Sequence, residues 1–152
     1  MKQKKYLKTI ALFVSVIFTV LLIPIKTSAQ TIPDQRLLPR LVDNADLLND
    51  SEEAKLLDKL DLISEKYQTD VAIVTVYSLE GKTAAEYADD FFDDNGYGIG
   101  PNHDGVLFLI STESRDWFIT TNGSGIQTFT DAGRAHMTEQ FLSYISDAKY
   151  AK

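Results

Sequence analysis

Apolar residues along this chain fall into unbroken runs and into runs with helical spacing. At 106–110 Val106, Leu107, Phe108, Leu109 and Ile110 follow one another without a polar break. Such a run predicts a strand in the middle of a sheet, covered on both faces. Residues 71–77 form a second, β-branched run and predict another buried strand. Helical spacing begins at Asn49-Asp50-Ser51-Glu52-Glu53, where capping side chains precede acids that the helix dipole favours. That helix is predicted to run to Tyr67, with Leu56, Leu60, Ile63 and Tyr67 along one face. Thr83 opens a second helix with Ala84, Tyr87, Ala88 and Phe91 inward. Asp89, Asp90, Asp93 and Asp94 crowd its outer side and end, and Asn95-Gly96 stops it.

The other segments are shorter and more polar. Residues 111–114 predict a turn, and the alternation at 116–121 predicts the return arm of a hairpin. Asn122-Gly123-Ser124-Gly125 reads as a flexible loop. Thr130-Asp131 reads as the start of a last helix, with Ala135, Phe141 or Leu142, and Ile145 inward. Residues 42–48 are too polar for a core strand and too short for a helix; Leu47 and Leu48 are expected beneath a turn. The order of elements gives a small α/β sandwich, the strands near Val71 and Gly105 running parallel through a right-handed crossover.

The first 29 residues stand apart from this pattern. Lys2, Lys4, Lys5 and Lys8 precede an apolar stretch over 10–25, and Thr27-Ser28-Ala29 closes it with small residues. This order predicts an export signal at 1–29, cleaved before Gln30, with a retained membrane anchor as the alternative. Residues 30–40, with Pro33 and Pro39 and no periodicity, read as a flexible leader. The remaining 112 residues, 41–152, fit one domain.

Charge changes the picture of partners. The chain has 15 basic and 22 acidic residues, a net charge of −7. Five of the basic residues and none of the acids lie in the export segment, which leaves ten against 22. So acidic a domain is expected to bind no nucleic acid and to have room for cations. The absence of cysteine rules out disulfides and thiolate metal sites.

Several motif-like stretches fail on context. Gly96, Gly98 and Gly100 sit between a helix and a strand, the reverse of the order that a dinucleotide loop needs. Residues 93–104 imitate a calcium loop, with Asp93, Asn95, Gly98 and Asp104 at positions 1, 3, 6 and 12. Tyr97 at position 5, Asp in place of the bidentate Glu, and a following strand argue against an EF-hand. His103 and His136 lack the companions of a zinc site, and Ser124 lacks the nucleophile-elbow frame. What survives is a set of hard oxygen donors near one strand end, a chemistry suited to calcium better than zinc.

Five motifs in order carry a resemblance. They are Val42-Asp43-Asn44-Ala45-Asp46-Leu47-Leu48, Tyr97-Gly98-Ile99-Gly100, Asp104-Gly105-Val106-Leu107, Gly123-Ser124-Gly125 after Arg115, and Thr130-Asp131. Together they resemble the TPM domain of bacterial exported proteins, a plant thylakoid-lumen protein and a nematode receptor modulator. The resemblance implies a three-layer α/β/α sandwich around a small mixed sheet, outside the cytoplasm. It implies a divalent cation, calcium, at Asp43, Asp104 and Asp131, and acid phosphatase activity in some members. A protein partner at the membrane or cell surface is the expected role. Membrane association would come through an uncleaved N-terminal segment or a C-terminal helix missing from this chain. Tyr97 replaces the usual Trp and Gln127 a common acid. The chain stops at Tyr150-Ala151-Lys152, inside the region resembling the domain's end, as a fragment or a shortened member would.

Overall fold

A computed structural model of the chain describes Pro33, residues 35–129 and Glu139. The export segment, most of residues 30–34 and the helix expected from Thr130, with Asp131 and His136, lie outside the described residues. Four strands make one sheet in the order β1-β2-β3-β4. They are β1 (Leu41–Asp43), β2 (Asp70–Val76), β3 (Gly105–Ser111) and β4 (Asp116–Asn122). β1, β2 and β3 run parallel and β4 returns antiparallel to β3, so the sheet is mixed as expected. Among the described residues three helices accompany it: α1 (Asp50–Tyr67), α2 (Ala84–Asp94) and the short α3 (Gly125–Thr128).

Capping sets where the long helices begin. The Asn49 side chain accepts from the Ser51 and Glu52 amides, and Glu52 reaches back to the Asn49 amide at 3.0 Å. Thr83 and Glu86 repeat this reciprocal box at α2. Each box satisfies amides that the helix itself leaves without partners.

Strand register then distributes the apolar side chains between two faces. Ala72 pairs with Leu107 and Val74 with Leu109; these four pack with Ala84, Ala88 and Phe92 of α2. Val71 and Ile73 point the other way, into a cluster with Leu41, Leu48 and Leu60 of α1. A helix on each face makes three layers, the α/β arrangement expected.

The α1 face differs from expectation. Leu60 and Ser64 are buried, with Leu56 and Leu57 packed beside the sheet, while Ile63 and Tyr67 are 44% and 64% exposed. The cause is the close approach of the returning chain. Ser64 accepts from the Val71 amide through Oγ at 2.9 Å and from the Thr69 amide through its carbonyl at 3.2 Å. Only a small side chain fits there, so the larger neighbours turn outward. In α2, Phe92 takes the buried position, and Tyr87 and Phe91 pack against the cluster half-exposed. The stretch 42–48, expected to form neither a core strand nor a helix, begins within an edge strand, Leu41–Asp43; Leu48 beyond it is buried as foreseen.

Residues 35–40 are a fastened strap, not a flexible leader. The Leu37 amide donates to the Asn95 carbonyl at 2.9 Å, and Tyr97 Oη donates to the Pro39 carbonyl at 2.7 Å. Arg40 is only 8% exposed. Tyr97 is fully buried against Phe91 and Phe92, and it also holds the strap. Burial raises its hydroxyl well above the usual phenol range, Arg36 opposing and Asp70 adding to the shift.

Candidate functional site

Asp43 and Asp104 stand at opposite ends of the sheet. Asp43 pairs with Thr75, which pairs with Ile110, whereas Asp104 immediately precedes Gly105 at the other end of β3. Six residue steps of strand separate the two levels, about 20 Å at roughly 3.3 Å per residue. These two carboxylates therefore do not share one cation, and Asp131 lies outside the described residues. Arg115 of the resembling motifs sits in the β3–β4 turn, also far from Asp104.

Both oxygens of Asp43 serve the fold. Oδ2 accepts from the Leu48 amide at 2.8 Å, and Oδ1 accepts from Thr75 Oγ1. Thr75 Oγ1 in turn accepts from the Ala45 amide at 3.1 Å. The carboxylate thus ties the turn after β1 to the end of β2.

Asp104 is differently placed. Its amide and carbonyl form a two-way bridge to Ile99, 3.0 Å each way, closing the 99–104 loop. The carbonyl also accepts from the Asp70 amide at 2.9 Å, which joins the loop to the sheet. Oδ1 accepts from the Ser124 amide at 2.6 Å. A Cβ on Gly123 would overlap Asp104 Oδ1 and lie 2.9 Å from the Asn102 carbonyl oxygen. Only glycine lets these two hard donors converge on that turn. Among the described residues no three carboxylates or imidazoles group closely enough to hold a metal by themselves.

Beneath this loop lies an ionic cluster that the sequence reading missed. Asp70, 2% exposed, accepts at Oδ1 from Arg36 Nη1 at 2.9 Å and Arg40 Nε at 2.5 Å. Its Oδ2 accepts from the Gly98 amide at 3.0 Å. Arg40 Nη1 also pairs with Asp61 at 2.5 Å, so two acids and two arginines form a neutral set. Burial pulls the Arg40 pKa down, and its hydrogen bonds to Asp70 and Asp61 outweigh that, leaving it raised. The available signal was Asp70 itself, an acid at the mouth of an apolar run, with Arg36 between Pro33 and Pro39 and Arg40 directly after Pro39.

Asp93, at the C-terminal end of α2, has a raised pKa. Partial burial is the main cause, followed by Asp89 and Asp94, with His103 opposing. An acid raised in the folded state contributes stability at pH below its unfolded pKa. That contribution is lost as pH rises through the folded value. Asp93→Asn should therefore raise the melting temperature near neutral pH, by less than about 1 kcal/mol of stability because the side chain is largely exposed. The gain should vanish below the carboxylate range; equal gains at pH 3 and pH 7 would contradict the assignment.

Solved structures similar in fold include two bacterial domains. The N-terminal domain of a protein from P. gingivalis superposes with a TM-score of 0.65 at 19% identity, covering 76% of this chain and 74% of that one. The N-terminal domain of cg2496 from Corynebacterium glutamicum gives 0.58 at 16% identity, covering 82% and 80%. Among curated proteins none matches the chain. The family model of the TPM domain matches residues 41–152, and the chain belongs to that family.

Proposed function

We propose that this chain is an exported TPM-domain interaction module that binds a divalent cation, calcium, at the Asp104 end of its sheet. The observation that carries the reading is the pairing of Asp104 with the Asn102 carbonyl at Gly123, on a loop fixed by Asp70. Carboxylate and carbonyl oxygens are the donors that calcium takes, six to eight at a time. Asp131 and water would supply part of the remainder; Asp43 has no part in it. Export rests on the basic, apolar and small-residue order of 1–29.

A metal-assisted acid phosphatase is less well supported. Phosphate needs cationic side chains to hold it, and Arg36 and Arg40, the arginines at this end among the described residues, are both engaged by Asp70. Arg115 is at the other end.

Calcium is expected to raise the melting temperature, by the equivalent of about 2.7 kcal/mol at a hundredfold excess over Kd. Asp104→Asn keeps an oxygen for the Ser124 amide and removes the charge, so it should abolish the shift while the fold persists. Asp43→Asn should lower stability by about 1–3 kcal/mol, because an amide cannot accept both of the bonds that Asp43 accepts, and should leave the calcium response intact. Identical melting curves in calcium and in chelator would reject the cation site.

A further inference from the structure

We propose that the free edge of β1 takes up an extended peptide carrying a lysine or arginine, whose basic side chain enters the groove between β1 and α1. Among the described residues β1 is one of the two outer strands of the sheet, β4 the other. On its inner side the Ile73 amide donates to the Arg40 carbonyl at 2.8 Å and the Asn44 amide donates to the Thr75 carbonyl at 3.0 Å. Residues 40, 42 and 44 therefore spend their main-chain groups on β2, and Leu41 and Asp43 direct theirs away from it. The Asp43 carbonyl accepts from the Asp46 amide at 3.3 Å, which ends the edge in a turn. Among the described residues the Leu41 amide and carbonyl, with the Asp43 amide, remain as the docking groups for an added strand.

The groove decides which strand would be taken. Its volume is about 300 Å³, enough for one long side chain. Leu41, Ala54 and Leu57 give it an apolar lining; Asp43, Asp50 and Glu53 give it a charged one. Asp43 is committed to Leu48 and Thr75, but Asp50 and Glu53 form no salt bridge among the described residues. A lysine or arginine suits this lining because its methylene stem lies on apolar surface while its charged end reaches carboxylates. The acidic balance of the whole chain favours the same cationic partner and disfavours an anionic one.

The proposal rests on the interaction-module part of the reading above. It is independent of the cation, which belongs to the opposite end of the sheet. The test is an NMR titration of the ¹⁵N-labelled protein with a capped hexapeptide alternating valine and lysine. Saturable shifts are expected at the Leu41, Asp43, Ala54 and Leu57 amides. Affinity should fall about fivefold in the Asp50→Asn/Glu53→Gln variant, the worth of two surface ion pairs. It should be lost when alternate peptide nitrogens are methylated, which removes strand pairing without altering charge. The absence of saturable shifts would overturn the proposal. So would equal binding by the methylated peptide or by a glutamate-for-lysine version, or unchanged affinity in the variant. Peptide failure with a calcium response intact would remove the edge site alone; the converse would remove only the cation.

Discussion

Asp70→Ala is expected to lower stability by about 3–5 kcal/mol, the usual cost of breaking a buried ion pair from one side. The substitution removes the acceptor of three bonds, from Arg36, Arg40 and the Gly98 amide, and leaves the Arg40 guanidinium buried with only Asp61. Loss on that scale is a large part of the 5–15 kcal/mol that holds a typical domain together. Urea unfolding should show the midpoint falling with the slope unchanged. Asp61→Ala is the control. Its carboxylate is 42% exposed, and an exposed pair contributes at most about 1 kcal/mol. If the two substitutions cost the same, Asp70 is not the centre of the cluster.

Gly98→Ala should be nearly as damaging, through the main chain instead of charge. A Cβ there would fall inside the His103 carbonyl group, 2.5 Å from its oxygen, and Gly98 has φ +101°. Backbone cannot move aside as a flexible side-chain end can, so clash and left-handed strain add to about 2–4 kcal/mol. Gly100→Ala supplies the comparison: φ is +72°, and no heavy atom would lie within 4 Å of the new Cβ. It should cost only the left-handed penalty of about 1–2 kcal/mol. Amide shifts at Asp104 and Ser124 should move strongly in Gly98→Ala and little in Gly100→Ala. Equal effects on both would mean that the 99–104 loop does not depend on that close approach.

What the sequence made legible was local. An unbroken apolar run, a β-branched run and two capping signals sufficed for the parallel strands, the hairpin and the helix starts. The outward turn of Ile63 and Tyr67 was hidden because spacing records where apolar residues recur, not where a serine must sit to let two segments touch. The strap was hidden because residues 35–40 are held by individual bonds to Asp70, Asn95 and Tyr97, which have no period. Asp43 and Asp104 were grouped through a resemblance in motifs. Motif order along a chain does not state the end of the sheet to which each strand delivers its residue. Parallel pairing answers that question for these two: β1 reaches Asp43 as it leaves the sheet, and β3 follows Asp104 as it enters.

The strap also bears on the order in which the molecule completes itself. Arg36, Leu37 and Pro39 leave the ribosome before any of the residues that will hold them. Arg36 waits 34 positions for Asp70, and the Pro39 carbonyl waits 58 positions for Tyr97. Contacts so distant along the chain form after local ones, because the intervening loop must first be closed. The earliest part of the described chain to be made is thus among the last to be secured. Until Tyr97 and its loop arrive, Asp70 and Arg40 can pair, but the strap over them has no far anchor.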